Sequence, residues 1–411
     1  MPIFLMLCFL FPASHAAISL KEAFEAARLN MENLKRAEAL KGAASERMAR
    51  ARGTMLPTLA GVGNDTHIDK PQTRAGATSA FTLTHQYSVG LRLTQPLLRG
   101  GALSAYQYAQ EDQLLAQFQK DASELNLYQL VINSYYNLMI AHFDDENLKE
   151  LMRLSENRVK ELRSRTSVGR SRKGELVQAE AQLLTAVTQL KQGDINLISA
   201  QRTFEYYTGL QAGELSPLNL MPNDPGGLPM LLEKLKSRPD IQVALQNVKL
   251  REKQVAIAKG AYLPSVDLVG NYYFDRTGIL QTSKWDAGIQ FTVPIFESGR
   301  SVSAVRESVE NKKVAEYDSQ QTLRVAERDL MITYQNFEAM VQQLQSMKDA
   351  LQKAEEGYKL NLRDYSYGQA TNLDVLQSLN LFIETKRSYD SLQASAHMTY
   401  KNLEASTGVL P

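Results

Sequence analysis

Between Leu176 and Tyr207, apolar and small residues return every three and four positions: Leu176, Ala179, Leu183, Ala186, Leu190, Gly193, Leu197, Ala200, Phe204 and Tyr207. A sustained 3.5-residue period predicts a helix that coils against a partner, and the small residues in the seam let that partner come close. The pattern returns, shifted by 199 residues, as Val375, Ser378, Phe382, Thr385, Tyr389, Leu392, Ala396, Thr399, Leu403 and Ser406. The surrounding landmarks keep the shift: Gly169 falls on Gly368, Glu175 on Asp374, Gln178 on Gln377, and Thr208-Gly209 on Thr407-Gly408. Two copies at a fixed offset predict an internally duplicated chain.

Each copy changes period once. Residues 18 to about 53 predict one helix, opened by a capping box of Ser19 with Glu22 and closed by Leu56-Pro57. A weaker strand follows from Thr58 to about Ile68, then a loop over Lys70 to Ser79. From Tyr87 the pattern alternates, with Tyr87, Val89, Leu91 and Leu93 apolar against Ser88, Gly90, Arg92 and Thr94. That is a strand with one greasy and one wet face, closed by Pro96 and Gly100-Gly101. From Ala102 to about Thr166 the pattern predicts one very long helix or two end to end, spanning roughly 95 Å, too long for a globular core. The turn from Ser167 to Ser171 reverses it into the first heptad helix. Residues 211–239 form a linker punctuated by Pro and Gly.

The cycle then restarts: a helix Ile241 to Lys259, Leu263-Pro264, a strand from Val266 and a loop Arg276 to Ser283. The fourth strand alternates Trp285, Ala287, Ile289, Phe291 and Val293 against Asp286, Gly288, Gln290 and Thr292. A long helix from about Ser301 to Asp364 and the second heptad helix close the chain. The expected organisation is a leader over 1–16, repeat 1 over 17–210 (strand pair about 57–97, tip near 165–173), the linker 211–239, and repeat 2 over 240–411 (strand pair about 264–295, tip near 364–372).

The leader reading rests on the apolar run through Phe11 followed by Ser14-His15-Ala16, a small-x-small cleavage signal, although no Lys or Arg precedes the run. The single cysteine, Cys8, lies inside it behind Leu7, so neither a lipid anchor nor a disulfide is expected in the mature chain. Charges nearly cancel, 46 basic against 45 acidic, which argues against a general nucleic-acid binder. No apolar stretch beyond the leader is long enough for a membrane helix. Four amphipathic strands cannot close a barrel alone, and an open edge is not tolerated in lipid. Three chains would supply 12 strands, apolar outward and polar inward, with the helical hairpins continuing the pore as a tube. The alternative is a soluble periplasmic coiled-coil scaffold, which has no need of the alternation over 285–293.

The Leu-Pro strand starts, the strand ends Gln95 to Gly101 and Val293 to Arg300, the tips Val168-Gly169 and Tyr367 to Leu376, and the Thr-Gly repeat ends together resemble the TolC-type outer membrane efflux protein family over essentially the whole mature chain. The resemblance implies a mixed α and β membrane protein: a homotrimer with a 12-stranded barrel in the outer membrane of a Gram-negative bacterium and a periplasmic coiled-coil tunnel. It implies the exit duct of a tripartite efflux or type I secretion system. Such a duct takes cargo from an inner-membrane pump of the RND or ABC type through a periplasmic adaptor. The membrane-facing residues would be Tyr87, Val89, Leu91, Leu93, Trp285, Ala287, Ile289, Phe291 and Val293. The family's periplasmic gate lies near the tips; Tyr365 and Glu175 match two members of its polar network, and Asp374 matches a lumen-facing acid. Two positions depart from the pattern. The usual basic partner falls on Ala370 and the second acid on Gln377, so the gate is either weaker or draws its charge from Arg170, Arg172 or Lys173. Arg165, Gly169, Arg170, Arg172 and Gly368 form the adaptor-docking tips.

A threefold ring of Asp374 carboxylates would favour cations and raise its own apparent pKa by repulsion. The same position at a helix N-terminus also has a local explanation, since the helix dipole favours an acid there. Gly169 to Glu175 has the outline of a phosphate-binding loop but carries Glu175 where Lys is required. His15, His67, His85, His142 and His397 show no metal-ligand spacing in the sequence. No enzyme, no metal and no cofactor is expected.

Overall fold

A computed structural model describes residues 17–67, 69, 85–218, 226–277 and 281–411; the expected leader and the loop 70–79 lie outside these. The elements run α1 (Leu20–Asn30), α2 (Glu32–Gly53), β1 (Thr58–His67), β2 (His85–Leu98), α3 (Ala102–Ser167), α4 (Lys173–Thr208), α5 (Leu228–Leu235), α6 (Pro239–Gly260), β3 (Ser265–Arg276), β4 (Trp285–Thr292), α7 (Arg300–Ser366) and α8 (Asn372–Ser406). The chain divides into two compact units: Met1–Lys35, Asp121–Pro239 and Arg324–Pro411 form one, Arg36–Lys120 and Asp240–Leu323 the other.

The first unit is helical. Every heptad position named above, in α4 and in α8, is buried or half-buried, as a coiled seam requires. At Gly193 a Cβ would lie 2.7 Å from Leu148 Cδ1 on α3, so any side chain there would displace that buried leucine. One apolar cluster joins Phe24 and Ala27 of α1 to Tyr128, Val131, Ile132 and Leu138 of α3, Phe204 of α4, and Ala394 and Ala405 of α8. The Ser19–Glu22 capping box opens α1: Glu22 N–H donates to Ser19 Oγ at 3.2 Å, and Ser19 N–H donates back to Glu22 Oε2 at 2.9 Å.

The single helix expected over 18–53 is two. Met31 is extended (φ −71°, ψ 123°) and buried, ending α1, while Asn30 Nδ2 donates to the Thr208 carbonyl at 3.0 Å. Burial of Met31 and the Asn30 bond outweigh the helix propensity of the flanking residues. The described parts of the 211–239 linker, 211–218 and 226–239, are also more ordered than the proline content suggests. Ile18 and Leu215 form a parallel bridge, with Ile18 N–H donating to Glu214 O at 2.8 Å and Ser216 N–H to Ile18 O at 3.0 Å. Further on, α5 buries Leu231 and Leu235, with Pro229 in its first turn where a missing N–H costs nothing.

The second unit holds the strands described, in one antiparallel sheet of order β1-β2-β3-β4. The register joins the repeats through β2 and β3. Paired residues share a face, so the rows Leu59–Leu93–Gly270–Ala287, Gly61–Leu91–Tyr272–Trp285 and Gln95–Leu268–Ile289 lie together, and Val89 and Phe291 join them by alternation. The opposite face carries a polar chain: Arg92 Nε donates to Asn271 Oδ1 at 2.9 Å, and Asn271 Nδ2 to Asp286 Oδ1 at 2.7 Å. Two strand ends differ from expectation. Pro96 does not close β2, which runs to Leu98 through a register shift between Pro96 and Leu98 that accommodates the missing N–H. Val293 falls one residue beyond β4.

The apolar face has no cover in the protomer. Trp285, Ile289 and Phe291 are 69%, 69% and 65% exposed, and β1 and β4 are both open edges. Among the described residues no helix is long and apolar enough to cross a membrane.

Candidate gate at the paired helix tips

Both hairpin tips lie in the helical unit, and the duplication is visible in their main chain. Gly169 and Gly368 take left-handed φ angles of 71° and 75°, which let the chain leave a helix without a Cβ clash. Gly169 N–H donates to Thr166 O and Arg170 N–H to Arg165 O, at 3.1 and 2.8 Å. Gly368 N–H donates to Tyr365 O and Gln369 N–H to Asp364 O, at 3.1 and 2.9 Å. Each pair repeats the other at the 199-residue shift.

Four helices meet behind these turns on Val159, Leu162, Ala179, Tyr365 and Val375, with Ala370 packed alongside. Ala370, where the resemblance placed a basic partner, is therefore part of an apolar contact. Tyr365 is buried and its hydroxyl donates to Glu175 Oε2 at 3.0 Å, so the two residues matched to the gate network do meet. Ser171 Oγ donates to the same carboxylate at 2.5 Å.

The positive charge comes from Arg158, which the sequence reading did not select, and from Arg165, which it placed at the docking tip. Arg158 is almost fully buried on α3; its guanidinium carbon lies 3.9 Å from the Tyr365 ring centroid, its Nε donates to Asn372 Oδ1 at 2.9 Å and its Nη1 to Glu161 Oε2 at 2.8 Å. Asn372, also buried, turns its amide to the Glu175 carbonyl at 3.2 Å. Arg165 lies 5.2 Å from the Tyr365 ring and pairs with Glu161 at 2.8 Å. One polar chain thus links α3, α4, α7 and α8, and desolvation of the guanidinium strengthens its contact with the ring. The signal for it was the Arg158, Glu161, Arg165 stripe at helical spacing. Arg170, Arg172 and Lys173, expected to supply the charge, are exposed instead, as are Gly169 and Gly368.

Asp374 and Gln377 do not enter the network; both are exposed on α8. Asp374 closes a capping box on its own helix, accepting from Thr371 N–H at 2.8 Å and Thr371 Oγ1 at 2.7 Å. The Thr371 hydroxyl and then its N–H hold the carboxyl below the ordinary aspartate range. Within one protomer the cap sets this direction; the rise expected from a ring of like charges belongs to the assembled trimer.

The family profile described as "Outer membrane efflux protein" matches residues 23–210 and 231–409, once for each repeat. The chain is 24% identical to the outer membrane efflux protein BepC of Brucella suis over 87% of this chain and 81% of that protein. It is 23% identical to the outer membrane protein TolC of Escherichia coli over 97% of this chain and 84% of that one. Its fold is similar to the crystal structure of the Campylobacter jejuni CmeC outer membrane channel, with a TM-score of 0.83 at 22% identity, covering 95% of this chain and 85% of that one.

Proposed function

The chain belongs to the outer membrane efflux protein family, whose members are outer-membrane channels of efflux systems and not enzymes; from that premise we propose that it works as a homotrimeric exit duct. The observation that carries the trimer is the sheet: an uncovered apolar face bounded by two open edges. Three such sheets joined β1 to β4 leave no unpaired main chain in lipid and turn the Arg92–Asn271–Asp286 face to a water-filled interior. A soluble scaffold would leave Trp285, Ile289 and Phe291 in water.

The tips act as the periplasmic entrance. Glu175, Tyr365, Arg158 and Asn372 tie the two hairpins of each protomer together, and the entrance opens when these bonds break. Three copies of Asp374 line the constriction and select for cations, with Gln377 one turn further along the helix. The exposed Arg170 and Arg172, beside the Gly169 turn, meet a periplasmic adaptor that couples the duct to an inner-membrane pump; the Gly368 turn offers the second docking point.

Light scattering of the detergent-solubilised protein tests the assembly: a protein mass near three times 46.0 kDa is expected, and a stable monomer contradicts it. On the sheet, Ile289→Arg should cost about 2–4 kcal/mol at mid-membrane while Gln290→Arg is tolerated. Equal damage from both would show that the faces are misassigned. A photo-crosslinker at Arg170 should capture the adaptor.

A further inference from the structure

The pairing of β1 with β2 brings together three residues that the sequence keeps apart. His67 lies directly opposite His85, and Asp65 lies two residues before His67 on the same face. The two imidazoles stack with centroids 4.5 Å apart and planes 10° from parallel. Both point at one carboxylate oxygen: His85 Nε2 is 2.6 Å and His67 Nε2 3.8 Å from Asp65 Oδ1. One ligand atom from each residue falls within 4.8 Å of the others, and all three residues are exposed.

We propose that Asp65, His67 and His85 bind a borderline divalent transition-metal ion, Zn2+ or Cu2+, that clips β1 to β2 at the loop end of the hairpin. Two imidazoles and one carboxylate are a donor set for such ions, whereas Mg2+ and Ca2+ prefer oxygen ligands alone. Tetrahedral zinc with ligands at about 2.0–2.1 Å needs donor atoms roughly 3.3 Å apart. The 2.6 and 3.8 Å separations bracket that distance, and the near-parallel imidazole stack must open so that both ring planes meet at the ion. Three protein ligands leave the fourth position to water.

The second repeat shows that these residues are not what the position requires. Counted from the Leu56-Pro57 and Leu263-Pro264 strand starts, Asp65 and His67 correspond to Tyr272 and Phe274. Those two rings pack edge to face at 5.8 Å, and Trp285 sits opposite Tyr272. Aromatic residues at that level are the ordinary solution for a barrel strand leaving lipid. The first repeat places three metal-ligating groups there instead.

The test uses the full chain, purified in detergent without an oligohistidine tag, and Zn2+ as the probe in calorimetric titration. One Zn2+ per chain is expected, and His67→Ala with His85→Ala should weaken binding by more than the roughly 10–100-fold known for loss of a group behind a ligand. Wild type that takes up no Zn2+, or a double variant that binds it equally well, overturns the site. Cu2+ added to the wild type needs no variant: electron paramagnetic resonance should show coupling to two imidazole nitrogens, and a spectrum without nitrogen coupling overturns the assignment.

Discussion

At both tips a left-handed glycine and two main-chain bonds make the same turn, yet the acid three residues after the N-cap is used differently. In the second repeat the N-cap is Thr371, and Asp374 closes a box with it. In the first, the N-cap is Arg172, which makes no side-chain cap bond, and Glu175 reaches across to Tyr365. Duplication has kept what the backbone dictates and released what side chains decide. The N-cap residue sets the outcome: a hydroxyl there holds the neighbouring acid on its own helix, and its absence frees the acid to tie one hairpin to the other.

Removing the shared partner should have the largest effect. Tyr365→Ala strips the ring from Arg158 and the donor from Glu175, and should cost about 3–5 kcal/mol of local stability, as loss of a buried aromatic does. Hydrogen exchange should rise in both tips together. Exchange confined to the α7–α8 tip would mean that the hairpins are not coupled through this residue. Glu175→Ala comes next, at about 1.5–3 kcal/mol for a hydrogen bond to a charged acceptor, with higher basal conductance of the reconstituted channel. Arg172→Thr is smaller and more discriminating. It installs in the first repeat the cap of the second and should stabilise the start of α4 by about 1 kcal/mol while loosening the Tyr365 bond. A more stable α4 with unchanged conductance would separate the cap from the gate.

The smallest effect concerns pH. The Asp374 carboxyl titrates lower in the folded protein than in the unfolded chain, so its cap stabilises α8 above the unfolded aspartate pKa of about 3.9 and loses that contribution as pH falls through the folded value. Thr371→Ala should therefore weaken tip protection more at neutral pH than in strong acid, where only the Asp374 N–H bond to the Thr371 hydroxyl is left to lose.

What could be read along the chain was whatever repeats along it. The 3.5-residue seam, the two-residue alternation on the strands and the Gly169–Gly368 offset are local periods imposed by backbone geometry, and the side chains follow them. Tyr365 and Glu175 were reached separately through family resemblance, and the two meet in a hydrogen bond of 3.0 Å. Contacts between elements were not legible. Arg158 and Asn372 are 214 positions apart and become partners only when α3 meets α8. His67 and His85 form a pair only once the β1–β2 register is known. The Met31 break and α5 were missed because a buried methionine and two buried leucines override local propensity. The Thr371–Asp374 box has the same three-residue spacing as Ser19 and Glu22 and was legible in the sequence.

The central claim is that the two tip acids do different work in the assembled duct: Glu175 ties hairpins together, and Asp374, while capping α8, presents its charge to the lumen. Single-channel recording of the reconstituted trimer, with a trivalent cation added on the periplasmic side, tests it directly. Asp374→Asn should lose block and cation selectivity together with little change in basal conductance, whereas Glu175→Ala should raise conductance and keep the block. Unchanged block in Asp374→Asn would leave that residue as a helix cap alone and contradict the account.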